Sequence, residues 1–301
     1  MTSKVNITFL GTGDQMPSKA RNHSAILLTY NEENILIDCG EGTQRQFRKA
    51  ELNPCKITRI LISHWHGDHV LGLPGLLATL GASGYSKTLF IYGPKGIKEK
   101  VKKFLEVFNF HKTYEIKVEE VDSGKFYEEK DFYLSSEKME HGIPSIAYSF
   151  VEKGKSRIDK QKLKKSGLPE GPILQKIKEG KDVMHEGKKF KSKDLVYRED
   201  DKKISIIMDT KLNKKIAPFA KNSDVLISEG TYSKELEKEA EERMHLTVTQ
   251  AAEIAKKSKS KKLILTHIGS RHSKDMKGLL TEAKEVFPET TLARDFDRFE
   301  I

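Results

Sequence analysis

The stretch Ile62-Ser63-His64-Trp65-His66-Gly67-Asp68-His69 decides how the rest of the chain is interpreted. An apolar, β-branched run over 57–62 precedes it, and Leu71-Gly72-Leu73-Pro74 follows it. This order predicts a buried strand, then a loop, then a helix that begins near Leu73 or Pro74. Three imidazoles and a carboxylate within six residues are best stabilised when neutral imidazoles share a cation such as zinc. We therefore interpret the loop as a metal site.

The spacing of these side chains indicates that the loop does not complete the site alone. His64 and His66 alternate in an extended segment, so their side chains point the same way. Asp68 and His69 are neighbours and diverge, unless the loop curls around two metals. Four ligands from one loop are too few to close two tetrahedral shells. Further ligands are therefore expected at other strand ends.

Length and cysteine content limit the class of protein. A chain of 301 residues forms one large domain or two ordinary ones and can bury a sizeable core. No apolar run reaches the ~20 residues of a membrane span, so we expect a soluble cytoplasmic protein with no membrane partner. The two cysteines, Cys39 and Cys55, do not indicate a disulfide framework, and neither has the spacing of a metal ligand.

The chain is strongly basic, with a net charge of +10 and a pI near 9.2. One interpretation is a solvated lysine-rich surface, which is common where high lysine and glutamate content accompanies thermal adaptation. The other is a polyanionic partner, because lysines and arginines release counterions when they neutralise phosphates. Charge alone leaves both interpretations open.

The order of the first predicted elements favours an antiparallel start to the fold. Segments 5–10, 24–28 and 35–38 have the patterns of strands, with a hairpin turn between the second and the third. Gly11-Thr12-Gly13 does not lead directly into a helix, which argues against a dinucleotide-binding fingerprint. Several strands before any long helix argue against a doubly wound parallel sheet. Further strands are predicted over 88–92, 114–121, 126–135 and 146–151, and a helix over 97–108.

Residue types that bind metals also end three later strands. Asp209, Glu229 and His267 each follow a short apolar run. His141 lies at a junction between two predicted strands. Polar groups gathered at strand ends over a β scaffold are the expected layout of a site. We therefore expect these side chains to lie near the loop at 64–69.

Composition changes over 152–201. Residues 151–200 contain fifteen lysines and arginines against nine acidic residues, and Gly171-Pro172 lies near the middle. Apolar periodicity is poor, so we interpret the segment as an inserted arm and not as core. It is either a mobile surface loop or an electrostatic clamp for a nucleic-acid backbone.

The motifs extend almost from end to end. They are Phe9-Leu10-Gly11-Thr12-Gly13, Pro17-Ser18, Arg21-Asn22, Asp38-Cys39-Gly40-Glu41-Gly42-Thr43-Gln44, His64-x-His66-x-Asp68-His69, Glu140-His141, Asp209-Thr210, Glu229-Gly230-Thr231, His245-Leu246-Thr247 and Thr266-His267-Ile268-x-Ser270-Arg271. Together they resemble the tRNase Z (ribonuclease Z) branch of the metallo-β-lactamase superfamily. The resemblance implies an α/β fold, a four-layer αββα sandwich of two mostly antiparallel sheets. It also implies a single domain over 1–301 with a flexible, tRNA-binding arm inserted at 152–201.

The resemblance further implies a site with two Zn²⁺ ions per subunit. The implied ligands are His64, His66 and His141 for one ion, Asp68, His69 and His267 for the other, and Asp209 as the bridge. Asp68 would also orient the nucleophile or accept its proton. His245 would contact the phosphate and protonate the leaving 3′ oxygen, and Glu229 would hold the imidazole of His245.

Substrate and partners follow from the same resemblance. The substrate would be precursor tRNA, cut to leave a 3′-hydroxyl on the tRNA and a 5′-phosphate on the trailer. Gly171 and Pro172 would belong to the part of the arm that grips the tRNA, and the protein would be a homodimer. Two alternatives remain. One is another hydrolase of this fold, such as a glyoxalase II-like thioesterase, and the other is a non-catalytic RNA-binding protein with a structural metal.

Overall fold

The computed structural model describes residues 4–108 and 113–301. The helices are α1 Thr43–Lys49, α2 Gly67–Val70, α3 Leu73–Ala82, α4 Ile97–Val107, α5 Lys160–Ser166, α6 Ile173–Lys178, α7 Ser192–Leu195, α8 Ile216–Phe219, α9 Glu237–Glu242, α10 Val248–Lys257 and α11 Met276–Val286, with 3₁₀ turns at Pro54–Lys56, Lys234–Leu236 and Ser270–Lys274. The strands are β1 Val5–Gly11, β2 Ala25–Tyr30, β3 Glu33–Ile37, β4 Arg59–Leu61, β5 Leu89–Gly93, β6 Ile116–Glu120, β7 Gly124–Glu128, β8 Phe132–Met139, β9 Ser145–Glu152, β10 Ser156–Ile158, β11 Val183–His185, β12 Lys188–Phe190, β13 Val196–Arg198, β14 Lys202–Ile207, β15 Val225–Glu229, β16 Leu263–Thr266, β17 Thr290–Leu292 and β18 Arg298–Glu300.

The first large sheet has seven strands in the order β18-β1-β2-β3-β4-β5-β6. β18, β1, β2 and β3 pair antiparallel, as the predicted early strands and hairpin require. From β3 onward the pairs are parallel. Parallel neighbours need crossover connections, and helices α1 to α4 lie in those connections. The sheet is therefore more evenly mixed than the mostly antiparallel arrangement that we expected.

The second large sheet has the order β17-β16-β15-β14-β9-β8-β7. Its strands β14, β15, β16 and β17 are parallel, with helices in the three connections between them. The carboxyl ends of parallel strands meet at one edge of a sheet. The residues that end β14, β15 and β16, or follow them directly, are consequently brought to a common edge.

Helices cover one face of each sheet. In the first sheet, Phe47 of α1 and Leu76 and Leu80 of α3 belong to one buried apolar cluster with Leu36 and Ile60 of the strands. A separate cluster joins the second sheet to α10 and α11, and its members include Leu226, Leu263, Ala251, Ala255, Leu279 and Ala283. These apolar contacts hold the outer helices of a layered α/β fold, which confirms the predicted fold class.

Aromatic side chains join the two sheets at their other faces. Tyr30 of the first sheet packs on Phe150 of the second, with ring centroids 5.2 Å apart. The buried Tyr148 hydroxyl donates to the carbonyl of Ile62 over 2.8 Å, and the Ile146 amide donates to the carbonyl of Ser63 over 2.9 Å. The segment that leads into the histidine loop is therefore fixed to both sheets.

Contacts divide the described chain into two compact units. The larger contains the described residues up to Tyr127, then Leu134–Phe150 and Lys203–Ile301, and the smaller contains Glu128–Tyr133 and Val151–Lys202. The smaller unit has its own apolar cluster of Leu163, Leu168, Ile177, Val183, Phe190 and Leu195. These residues are widely spaced and follow no single helical or strand period, so the sequence pattern did not predict this small core.

Two further predictions can be compared with the elements. The predicted strand over 126–135 is wrong in its extent, because the chain forms β7 and β8 with a turn closed by the Glu129 amide and the Phe132 carbonyl, 2.8 Å apart. Four consecutive charged residues over 128–131 lie where the two strands meet, and this polar run marks the turn. No helix of the described residues has the length and apolarity to cross a membrane.

Candidate metal centre

The predicted ligands converge, although they come from distant parts of the chain. Two groups of four donor atoms lie within 4.8 Å of one another in each group. The first comprises His64, His66, His141 and Asp209, and the second comprises Asp68, His69, Asp209 and His267. The parallel strands of the second sheet bring Asp209 and His267 to the edge that faces the loop between β4 and α3.

Distances in the first group are short. His66 Nδ1 lies 3.0 Å from His64 Nε2 and 3.1 Å from His141 Nε2. Asp209 Oδ2 lies 3.5 Å from His64 Nε2 and 4.0 Å from His141 Nε2. Four ligands at ~2.0–2.1 Å from a tetrahedral zinc are roughly 3.3 Å from one another. The spacing of these four atoms is compatible with a common metal.

The second group uses the other oxygen of Asp209. Asp209 Oδ1 lies 3.4 Å from His69 Nε2 and 3.3 Å from His267 Nε2. Asp68 Oδ2 lies 3.2 Å from each of the same two nitrogens. Because its two oxygens face different groups, the Asp209 carboxylate can contribute to both.

Most of the imidazoles are held by a partner at the ring nitrogen that points away from the cluster. The pairs are His64 Nδ1 with Ser63 Oγ at 3.0 Å, His141 Nδ1 with the Met244 carbonyl at 3.0 Å, His69 Nδ1 with Asp38 Oδ2 at 2.7 Å, and His267 Nδ1 with Thr231 Oγ1 at 2.9 Å. Such partners fix the tautomer and the orientation of a ligating imidazole. This arrangement is typical of a metal site.

Asp38, Ser63 and Thr231 are supporting residues to which the sequence patterns assigned no role. Asp38 accepts hydrogen bonds from the Ser63 amide at 2.7 Å and the Ser63 hydroxyl at 2.8 Å, in addition to its contact with His69. A signal for Asp38 is present in the sequence, because Asp38 follows the buried strand β3 as Asp209 follows β14. A carboxylate at the end of an apolar strand is therefore the pattern that identifies it.

Close backbone packing keeps Asp38 beside His69. The Cys39 amide donates to the His69 carbonyl over 2.8 Å, and the Gly72 amide donates to the Cys39 carbonyl over 2.9 Å. A Cβ on Gly72 would lie 1.9 Å from the carbonyl oxygen of Gly40. Only glycine at position 72 allows this approach, so the Gly72 backbone helps to set the position of the His69 ring.

Burial and mutual repulsion keep two of the imidazoles neutral. Burial, followed by the neighbouring His69, holds the pKa of His64 well below its usual value. Burial and His141 likewise lower the pKa of His66. A neutral imidazole is the form that binds a metal, so the lowered pKa values favour the ligating state of both rings at neutral pH.

The second group carries an excess of carboxylates. Burial opposes a charge on His69, yet Asp209, Asp38 and Asp68 outweigh it and raise the pKa of His69 well above its usual value. Burial also opposes a charge on His267, whose pKa is nevertheless raised by Asp209 and Asp68. In the absence of metal, protons on these rings balance the carboxylates. A divalent cation would supply that positive charge and release the protons.

The surroundings of one buried oxygen show whether the residues fit a metal ion. Asp209 Oδ1 is inaccessible to solvent and accepts no hydrogen bond of good geometry in the described part of the chain. The imidazole nitrogens His69 Nε2 and His267 Nε2 lie 3.4 and 3.3 Å away, but a buried charged oxygen that lacks a well-aligned hydrogen bond is still costly. Imidazole and carboxylate donors around that oxygen match the ligand preferences of zinc. The residues present therefore fit a metal.

A third group adjoins the second. His245 Nδ1 lies 3.2 Å from both carboxylate oxygens of Glu229, and Thr231 Oγ1 donates to Glu229 Oε2 over 2.6 Å. Burial lowers the pKa of His245, but Glu229 and Asp209 outweigh burial and raise this pKa to about 9. The imidazolium form of His245 is therefore stabilised, with Nδ1 held by Glu229 and Nε2 available for another partner.

Members of all three groups line one open cavity of about 390 Å³. Its lining includes His66, Asp68, His141, Asp209, His245 and His267, together with Asp14, Gln15, Met16, Tyr232, Glu239, Arg243 and Arg271. Structural zinc sites are closed, whereas catalytic zinc sites keep an open coordination position.

The two residues predicted to bind RNA lie elsewhere. Gly171 and Pro172 belong to the smaller unit, at an exposed turn before α6.

Solved structures of the same architecture identify the class. The metallo-beta-lactamase fold protein YhfI from Bacillus subtilis aligns with a TM-score of 0.73 over 100% of both chains, at 19% identity. The short form of human tRNase Z aligns with a TM-score of 0.70 over 98% of both chains, at 28% identity. The fold and the histidine-aspartate site therefore define a metallo-β-lactamase-fold protein.

Sequence relatives narrow this class. Ribonuclease Z of Listeria welshimeri is 41% identical over 99% of both chains, and that of Oceanobacillus iheyensis is 40% identical over 99% of this chain and 100% of its own. At this identity over the whole length, the chain belongs to the ribonuclease Z family. A family model described as anti-Pycsar protein Apyc1 also matches residues 5–134. That segment contains the loop at 64–69 but not His141, Asp209 or His267.

Proposed function

We propose that the protein is a zinc-dependent endoribonuclease that removes the 3′ trailer from precursor tRNA. Cleavage would leave a 3′-hydroxyl on the tRNA and a 5′-phosphate on the trailer. The observation that carries the proposal is the convergence of seven ligand residues and the His245–Glu229 pair at the wall of one open cavity, which His66, Asp68, His141, Asp209, His245 and His267 line directly. Membership of the ribonuclease Z family supports RNA as the substrate.

Two Zn²⁺ ions per subunit are proposed, one for each group of donors, with Asp209 contributing an oxygen to each. His64, His66 and His141 would hold the first ion, and Asp68, His69 and His267 would hold the second. Bound divalent metals supply Lewis-acid stabilisation of phosphoryl oxygens and lower the pKa of water. No cysteine belongs to either group, and hard oxygen ligands suit phosphate chemistry.

Two side chains of the protein, Asp68 and His245, can orient the attacking water and protonate the leaving group. Burial raises the pKa of Asp68, but His69 and His267 outweigh burial and hold it well below its usual value, so the carboxylate is ionised. An ionised Asp68 at the cavity surface can orient the attacking water by accepting a hydrogen bond. His245, kept protonated by Glu229, can donate its Nε2 proton to the leaving 3′ oxygen.

The smaller unit is proposed to bind the tRNA backbone. Residues 151–200 contain fifteen basic and nine acidic residues, and most of its lysines are exposed. Gly171 has φ of +155°, which disfavours other residues, and a Cβ at this position would have no atom within 4 Å, so this turn projects freely. Structured RNA is usually recognised by shape and backbone charge. A homodimer in the cytoplasm remains a prediction.

Incubation with end-labelled precursor tRNA tests the function. We expect one cut at the 3′ end of the mature sequence, products with the stated ends, and loss of cutting after chelation with recovery on adding Zn²⁺. A glyoxalase II-like thioesterase would hydrolyse thioesters and leave the RNA intact. A non-catalytic RNA-binding protein would shift the precursor in a gel without cutting it. Either result would overturn the proposal.

Removal of 159–195, the part of the smaller unit that contains its apolar cluster, should separate RNA binding from chemistry. Ile158 of β10 faces Val196 of β13 in an antiparallel ladder, where paired Cα atoms are ~5 Å apart. A two-residue turn can therefore replace 159–195 and leave the ladder closed. We expect KM for precursor tRNA to rise by about 100-fold, since several phosphate contacts are lost. Hydrolysis of bis(p-nitrophenyl) phosphate should stay within about twofold, because this small diester needs no clamp. Equal losses on both substrates would contradict a clamp.

A further inference from the structure

A second groove adjoins the cavity of the metal centre. It has a volume of about 390 Å³ and is lined by Ser18, Ala20, Arg21, Ser273, Met276, Lys277, Leu280, Leu292 and Arg294. Met16 and Arg271 line the cavity, whereas Ser18 and Ser273, each two residues further along, line the groove. Two residues span at most ~7 Å. The groove therefore begins at the rim of the cavity.

The groove is positively charged. Its lining includes three cationic side chains and no carboxylate. Lys277 and Arg294 are exposed, and neither makes an ion pair with any residue of 4–108 or 113–301. Cations without a protein partner that border a continuous groove attract a polyanion. The groove therefore favours a ligand with repeated negative charges.

Arg21 fixes one wall and retains donors for a ligand. Its side chain is only 7% exposed, and Nη1 donates to Thr12 Oγ1 over 2.6 Å and to the Ala293 carbonyl over 2.7 Å. Within the described residues, the partner of Nη2 is Met276 Sδ at 3.9 Å. Thioether sulfur is a weak acceptor. The guanidinium is thus held in place on one side and is incompletely paired on the other.

We propose that this groove binds the 3′ trailer, the single-stranded RNA downstream of the scissile phosphate, an inference that rests on the proposed function. Lys277 and Arg294 would contact backbone phosphates, and the apolar surface of Met276 and Leu280 would contact a base. Single-strand sites combine such a charged track with surfaces for bases. A groove of about 390 Å³ has room inside it for a few nucleotides of one strand, which favours the single-stranded trailer over the acceptor stem.

The test uses the double variant Lys277→Glu with Arg294→Glu. Its matched control is Lys98→Glu with Lys256→Glu, which reverses two exposed lysines outside the groove and the cavity. Precursors carry trailers of one nucleotide or of about eight, a length within the usual range of single-strand sites. For the long trailer, we expect KM to rise roughly tenfold and the slope of log KM against log salt to fall by about 1.4, which is 0.7 for each lost phosphate contact. The short trailer and the control variant should show neither change.

Binding of a labelled, 5′-phosphorylated octauridylate provides a readout that does not need catalysis. The double variant should bind it at least roughly fivefold more weakly than the unchanged protein and the control variant, which fits the loss of two phosphate contacts. An equal rise of KM for both trailers would assign the groove to the tRNA body, and unchanged binding and KM would exclude RNA there. Both results overturn the inference. A further outcome is that the unchanged protein binds octauridylate through Lys277 and Arg294 but cuts no precursor tRNA. That result would keep the groove as an RNA-binding site and would reject the proposed function.

Discussion

Asp209→Ala should abolish both metal binding at full occupancy and RNA cleavage. Its two oxygens face different donor groups, so one substitution removes a ligand from each. Loss of one member of a unit that acts together costs on the order of 10⁴-fold in kcat. We expect that loss in single-turnover cleavage of precursor tRNA, and metal analysis should give clearly less than two equivalents of Zn²⁺ per chain.

The control for Asp209→Ala is Asp14→Ala. Asp14 is a carboxylate that lines the same cavity but belongs to none of the donor groups. Its removal should leave the metal content unchanged. Circular dichroism separates lost metal from lost fold in both variants. Full metal content in Asp209→Ala, with a rate within tenfold of the unchanged protein, would contradict the assignment of Asp209 as a shared ligand.

His245→Ala should lower kcat for precursor tRNA by roughly 10²–10⁴-fold, the usual contribution of a general acid. The 3′ oxygen of a ribose is a poor leaving group and needs a proton, which His245 would donate from Nε2. Nitrophenolate leaves without one, so hydrolysis of bis(p-nitrophenyl) phosphate should fall far less. The metal content should not change, because His245 belongs to neither of the two groups that contain Asp209.

Comparison of the two substrates distinguishes proton donation by His245 from binding of the phosphate. His272→Ala is the matched control, since His272 is a partly buried histidine close in sequence to Arg271 but absent from the cavity lining. It should cleave both substrates at nearly the unchanged rates. If His245→Ala slowed both substrates equally, the side chain would bind or orient the phosphate, and another group would protonate the leaving oxygen.

The candidate site was largely predictable because its chemistry is concentrated in short motifs. Few residue types bind zinc, and three histidines and an aspartate crowd into the loop at 64–69. Asp209, Glu229 and His267 were recognisable because a charged or ligating residue directly after a buried apolar strand is typical of a site. Thr231 was harder to interpret, since a threonine after a strand is common and only its distance from His267 Nδ1, 2.9 Å, reveals that it holds the ring.

Other features depended on contacts that no local pattern records. The apolar core of the smaller unit joins Leu163, Ile177 and Phe190, which lie far apart along the chain and in different helices and strands. The exact ends of β7 and β8 depend on a turn that the Glu129 amide and the Phe132 carbonyl close. The groove beside the cavity joins Arg21 to α11, and nothing in either segment alone indicates the other.

The sequence by itself determined the ligand types, the layered α/β class and the excess of positive charge, because these follow from composition and from local periodicity. Only the tertiary structure decided which donor faces which, that Asp209 presents one oxygen to each group, and that Asp38 orients His69. These depend on angstrom-scale placement of strand ends from two sheets. Such placement results from sheet pairing and core packing over the whole chain, which single segments do not encode.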